Sequence, residues 1–365
     1  MALTPRERVL RAVTRRKPDK VPKDLSWGLT PTVLETFKQK TGRDDPDEYF
    51  GVEVRFVGLD LPPHRVAEAA EERRYLYAPY YMNLPANAEI TEFGTAQIPG
   101  TFYHFAQFVA PMQSFISLPE FEAYPYPTFD EDWRRDYARQ RIAAYHQRDL
   151  AVCGAMACTI FEVAWQMRGM EQLYQDFKFR PELAEYLLDR LTEMRCGMAR
   201  FLAAQDVDVL VLGDDVSMQT GMMISPATWR KWFKGRMQRI IAAAQDIKPG
   251  LPIFYHSDGN PEGIIPDLIE IGVTILNPVQ PECIDPRMVK ERYGDRLAQW
   301  GTIGTQTTMP FGTVEDVRRE VRQRIETVGY DGGLVLGPTH QLEPDVPWEN
   351  IIAFYEAIDE YGVYS

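Results

Sequence analysis

Phe254-Tyr255-His256-Ser257-Asp258-Gly259-Asn260 reads as an apolar strand giving way to a polar turn. His256 and Asp258 stand two residues apart, so on an extended chain both side chains leave the same face. A second such place follows the apolar run Leu334-Val335-Leu336, where Gly337-Pro338-Thr339-His340 ends on an imidazole. The chain has only five histidines, and two of them fall at strand ends. Two imidazoles and a carboxylate form a three-ligand metal site with an open position if those strand ends converge.

Working outward, the same rhythm repeats. Apolar runs occur at 150–156, 207–216, 252–259, 273–280, 297–304 and 332–340, with further candidates at 21–27 and 54–59. Helical patterns with start signals lie between them. Ser225-Pro226 is an N-cap with Pro at the first helical position, opening a helix to about Gln245. Thr313 with Asp316 makes a capping box ahead of Val317–Val328, and Thr4-Pro5-Arg6-Glu7 makes another at the start. Asp345-Val346-Pro347 opens a last helix through Ile358. Continuous apolar strands alternating with amphipathic helices argue for a parallel sheet covered on both faces. About eight strands predict an α/β (β/α)8 barrel, whose active site lies at the C-terminal strand ends. His256, Asp258 and His340 fall there, with Asp214, Asp215, Asn277, Gln280 and Gln306.

Residues 60–130 break the rhythm. Tyr75, Tyr77, Tyr80 and Tyr81, then Phe102, Tyr103, Phe105 and Phe108, crowd an irregular stretch. We read it as an aromatic insertion of hairpins and loops over the barrel mouth, within a single domain spanning 1–365. No Gly-x-Gly-x-x-Gly follows a strand, which argues against dinucleotide binding.

The net charge of −13, with no Lys/Arg block, argues against nucleic acid or an anionic membrane as partner. No window approaches 18 uncharged apolar residues, and the opening Met-Ala-Leu-Thr-Pro-Arg-Glu-Arg lacks the apolar core of a signal peptide. Cys153, Cys158, Cys196 and Cys283 show no CxxC pairing and read as reduced thiols. The expectation is a soluble cytoplasmic protein; pairing as a homodimer is left open.

Several of these motifs together resemble the uroporphyrinogen decarboxylase superfamily: Thr4 to Leu10, Asp214-Asp215 followed by Ser225-Pro226-x-x-Trp229, the His256 to Asn260 strand end, and Leu336 to Asn350. The resemblance covers nearly the whole chain and implies one (β/α)8 barrel. It admits two chemistries, cofactor-free porphyrinogen decarboxylation and zinc-dependent methyl transfer involving corrinoid proteins. Decarboxylases of this kind carry Arg-Gln-Ala-Gly-Arg-Tyr after the first strand, to hold the substrate's carboxylates. Here that stretch is Val21-Pro22-Lys23-Asp24-Leu25-Ser26-Trp27-Gly28, without either arginine.

The methyltransferase branch implies zinc on a His-x-Cys strand end and a later Cys. Those positions correspond to His256, Asp258 and His340, so both thiolates are replaced. A His/Asp/His zinc is a stronger Lewis acid toward oxygen than a thiolate-rich one. The resemblance therefore implies transfer of a methyl group from a methoxylated, aromatic small molecule to the cob(I)alamin of a separate corrinoid protein. Alternatives are a decarboxylase, a methyl-corrinoid:acceptor methyltransferase, or an inactive barrel that only binds.

Further candidates complete this reading. Glu162 is a fourth ligand or proton donor, against the plain alternative of a solvated helix-start carboxylate. Asp214 and Asp215 face opposite ways on a strand; Asp214 enters the catalytic set, though the adjacency alone does not choose between them. Trp27, Tyr81, His104 and Asn277 are candidates to contact substrate.

Overall fold

The computed structural model describes residues 2–100 and 106–364. Seven strands form one parallel sheet, adjacent in chain order: β1 (Val54–Val57), β2 (Ala151–Ala155), β3 (Val209–Gly213), β4 (Ile253–His256), β5 (Ile275–Asn277), β6 (Ala298–Trp300) and β7 (Leu334–Val335). The register pairs Val54 with Ala151, Cys153 with Val209, Val211 with Phe254, Phe254 with Ile275, and Ile275 with Ala298. These residues share one buried apolar cluster with Trp300. Their neighbours of opposite parity, Val152, Leu210, Leu212, Ile253, Tyr255 and Leu276, belong to a second cluster with the helices. The sheet is therefore curled, apolar on both faces, as continuous strand runs require.

Helices cover the outer face. Among them are α1 (Pro5–Val13), α2 (Phe161–Arg168), α3 (Pro181–Ala204), α4 (Gly235–Gln245), α5 (Val314–Thr327) and α6 (Trp348–Tyr361). The capping boxes at Thr4/Glu7 and Thr313/Asp316 both form, and Ser225 accepts from the Thr228 N–H at 3.1 Å. The helical run after Ser225 holds a π-helical stretch, Arg230–Lys234, just before α4. No helix of the described residues is long and apolar enough to cross a membrane.

Two expectations need correction. The segment 21–27 is not a regular strand. Pro22 has no N–H to give to a ladder, and the segment makes one bridge, Lys23 to Leu336. It nevertheless lies between the two edge strands. Leu336 N donates to Pro22 O at 3.0 Å, Asp24 N to Leu336 O at 2.8 Å, and Glu53 N to Lys23 O at 3.2 Å.

Residues 60–130 are also more regular than hairpins and loops. They include a helix, Val66–Tyr77, and a three-stranded antiparallel sheet of Glu89–Ile90, Ala96–Pro99 and Ala106–Val109. Val66-Ala-Glu-Ala-Ala-Glu-Glu-Arg-Arg is made of helix formers, a signal the tyrosines around it obscure. Tyr77, Tyr80 and Tyr124 pack on one another at 4.9–6.4 Å between ring centroids. The buried residues of the segment join the apolar cluster shared by the helices and the outer face of the sheet.

Arg8 ties the first helix to the sheet. It is 6% exposed and donates to Asp19 at 2.7 and 3.0 Å, to Leu3 O at 2.9 Å, and to Glu53 just ahead of β1. Burial already pushes the Glu53 carboxyl up, against the pull of Arg8. Arg8→Met would leave that carboxylate buried without its cation, costing about 3 kcal/mol. A folded-state pKa raised still further makes stability fall as pH rises through it. Urea unfolding should show a larger deficit for Arg8→Met at pH 8 than at pH 5.

Candidate metal centre

The HSDGN strand end is built so that every residue has a task. His256 closes β4 on the interior face, in register with Asn277 of β5. Its Nδ1 lies 2.7 Å from Asn277 Oδ1, while Asn277 Nδ2 donates to Trp300 O at 3.0 Å. Because the amide nitrogen is spent on Trp300, Oδ1 must accept from His256 Nδ1–H. The Nε2 lone pair is then directed away from the sheet, the arrangement that prepares an imidazole for a metal.

Ser257 Oγ accepts from Val216 N at 3.2 Å, and Ser217 Oγ donates to Asp258 O at 2.6 Å, stitching β4 to the loop after β3. Gly259 has φ +84°, and a Cβ there would meet Met218 O at 2.5 Å. Asn260 Nδ2 donates to Cys283 O at 3.1 Å and holds the turn.

Around His256 Nε2 the acids converge. Asp215 Oδ1 lies at 3.7 Å and Asp258 Oδ1 at 3.8 Å. One donor atom from each of the three residues falls within 4.8 Å of the others. His340 Nε2 is 3.9 Å from Asp258 Oδ2. Ligands on a tetrahedral zinc with bonds of about 2.05 Å sit about 3.4 Å apart. The spacing and the all-nitrogen-and-oxygen donor set fit a divalent cation. Asp215 Oδ1 also accepts from Asp258 N at 2.7 Å, and Glu162 Oε2 from Asp215 N at 3.0 Å, which fixes the carboxylates in place. Trp27 stands edge-on to the His256 ring at 5.1 Å and walls one side.

Placement of the remaining candidates is mixed. Asp214 faces the helices: its carboxylate accepts from Ile160 N and Glu162 N, both at 3.0 Å, at the start of α2. Burial pushes it up to about 6. Burial, then the charges of Asp215 and Asp214, raise Glu162 well above the usual carboxylate range. Asn277 is committed at both ends of its amide, to His256 and to Trp300 O. Tyr81 bonds the carbonyls of Gly94 and Val109, and none of its bonds among the described residues reaches the cluster. His104 lies outside the described residues. Asp215 is the residue that parity could have selected, since Val209, Val211, Gly213 and Asp215 share the interior side.

Comparisons with known proteins agree on a family. The family described as "Uroporphyrinogen decarboxylase (URO-D)" matches residues 118–361. Methylcobamide:CoM methyltransferase MtaA of Methanosarcina barkeri is 28% identical over 183 residues, 50% of either chain. Methylated-thiol--coenzyme M methyltransferase of Methanosarcina mazei is 23% identical over 200 residues, 55% of this chain and 51% of that one. Uroporphyrinogen decarboxylase of Hydrogenobaculum sp. is 25% identical over 178 residues, 48% of either. The chain thus spans about half the length of the curated relatives it matches. A solved methyltransferase from Methanosarcina mazei shares the fold, with a TM-score of 0.67 at 21% identity over 98% of this chain and 99% of that one.

The geometry generates a test that needs no reaction. Asn277→Ala should free the His256 ring and weaken zinc binding roughly 10- to 100-fold. Gly213→Ala should do the same from the other side, since its Cβ would lie 2.5 Å from the His256 Cβ. Calorimetric zinc titration of folded variants checks both.

Proposed function

Because the chain belongs to the uroporphyrinogen decarboxylase family, we propose that it is a methyltransferase that moves a methyl group from a methoxylated aromatic small molecule to the corrinoid of a separate protein. We read the sheet as a (β/α)8 barrel in a single domain, with Pro22–Asp24 in the place of the eighth strand and residues 60–130 inserted over the mouth. The backbone bonds of that segment to both edge strands support this reading.

One observation carries the functional reading: the convergence of Asp215, His256 and Asp258, with His340 beside Asp258, where interior-facing strands end. The relatives named for coenzyme M and for methylated thiols act, by those names, on sulfur. This cluster contains none. Zinc held by these four residues would supply a strong Lewis acid toward an ether oxygen. The chain's own residues do the rest. Asn277 keeps His256 in the Nε2-accepting tautomer, Glu162 holds the Asp215 backbone, and Trp27 gives an aromatic wall to a bound ring.

Porphyrinogen decarboxylation is the poorer fit. Asp24, at the position of the missing arginines, is buried and accepts from Trp300 Nε1 at 2.6 Å, so it offers nothing to a polyanion.

The protein should carry close to one zinc, and His256→Ala or His340→Ala should remove most of it while leaving the fold intact. With reduced corrinoid protein and a panel of methoxyarenes, methylcobalamin should form, read by absorbance. Carbon dioxide release from a porphyrinogen, with no methyl transfer across the panel, would show the opposite branch.

A further inference from the structure

Arg195, on α3, is a buried cation that no carboxylate of the described residues touches, although the charges of Asp214 and Glu92 reach it at longer range. It is 4% exposed, and among the described residues it makes no ion pair. Its Nε donates to Thr159 O at 3.0 Å, one terminal nitrogen to Cys158 O at 2.8 Å, and the other to Met198 Sδ at 3.4 Å. The guanidinium lies 5.3 Å from the centroid of the Phe93 ring. Three of its five N–H groups are thereby used and two remain. Burial pulls its pKa down, the sign of a charge short of compensation. Buried charges are ordinarily paired, because desolvation is otherwise expensive.

The cavity beside it explains what could pair it. A space of about 370 Å³ is lined by Arg195 together with Phe56, Phe93, Phe129 and Met156. That volume and apolar lining suit a single aromatic ring. Two carboxylates also line it, Asp60 and Glu92, but each has its own arginine. Asp60 pairs with Arg141 at 2.7 Å and Glu92 with Arg134 at 2.7 Å. Arg134 also meets Glu131 at 3.2 Å, so these carboxylates are engaged elsewhere and none of them touches the Arg195 guanidinium.

The cavity also adjoins the metal centre. Phe56 and Ala155 of its wall are at the C-terminal ends of β1 and β2. The Phe56 ring is 5.5 Å from Trp27, which in turn is 5.1 Å from His256. One indole therefore separates the space from the imidazole.

We propose that this cavity receives the carboxylate and ring of an aromatic acid, with Arg195 as its counter-ion. A methoxy group on the far side of such a ring would then point toward Trp27 and, past its indole, toward His256, a step that rests on the methyl-transfer reading above. The substrate class becomes a methoxylated aromatic carboxylate, and neutral methoxyarenes become poor ligands.

Benzoate and its neutral isostere benzamide, titrated into the full chain by calorimetry without corrinoid protein, test this directly. Wild-type protein should bind benzoate roughly tenfold more tightly than benzamide. Arg195→Gln should bring the two affinities together. Ala157→Phe, which fills the cavity and keeps Arg195, should weaken both ligands and decides the matter if Arg195→Gln fails to fold. Equal affinities in the wild type, a benzoate preference surviving Arg195→Gln, or unchanged binding in Ala157→Phe would overturn the assignment. Benzoate has no methyl group to give. Arginine-dependent benzoate binding with no methyl transfer from any methoxybenzoate would therefore sink the methyl-transfer reading alone. Methyl transfer from neutral methoxyarenes without a benzoate preference would sink the anion site alone.

Discussion

Across three neighbouring strands runs one line of hydrogen bonds, His256 Nδ1 to Asn277 Oδ1 and Asn277 Nδ2 to Trp300 O. It lies on the interior face because His256 and Asn277 are partners in the parallel register of β4 and β5. A slip of one residue in either strand would send one of these side chains to the helix-covered face. The register that packs Phe254 against Ile275 and Trp300 thus also sets the tautomer of an imidazole. Core packing and site chemistry are here the same constraint.

Electrostatics explains why the strand ends favour a cation. Glu162, Asp214, Asp215 and Asp258 crowd one end of the sheet in a chain with net charge −13. Asp214 has its charge answered by N–H groups at the start of α2, as a helix N-terminus favours. Asp215 is answered in part by the backbone N–H of Asp258, while the Nε2 lone pair of His256 faces both carboxylates and leaves their charge to a cation. Arg195 feels the charge of Asp214 but is taken up by carbonyls, not carboxylates.

Much of this was readable beforehand. The apolar strands and their polar ends located His256, Asp258 and His340, because period-two alternation and strand termination are local properties. Asp215 was recoverable by counting parity from Val209. Adjacency alone leaves Asp214 and Asp215 equivalent until the inward-facing residues of β3 are fixed. Two things were not legible. Pro22 to Asp24 supplies its bonds to Leu336 and Glu53 without strand geometry, so a strand count alone mistakes what it is. The meaning of Arg195 depends on which carboxylates find other arginines, and those pairings join residues far apart in sequence, such as Asp60 with Arg141.

The donor set of the proposed metal centre also bears on its chemical durability. Metal sites built on thiolate can be lost to oxidants, as sulfur climbs to sulfenic and sulfinic acids. No sulfur stands among Asp215, His256, Asp258 and His340. The nearby thiols are held protonated, Cys158 by burial well above its usual range and Cys283 pushed up to about 11. Imidazole and carboxylate ligands give peroxide or air no comparable foothold. A centre of this composition would keep its ligands through an oxidative episode that disables a sulfur-ligated counterpart, and would exchange metal in response to competing chelators rather than to redox state.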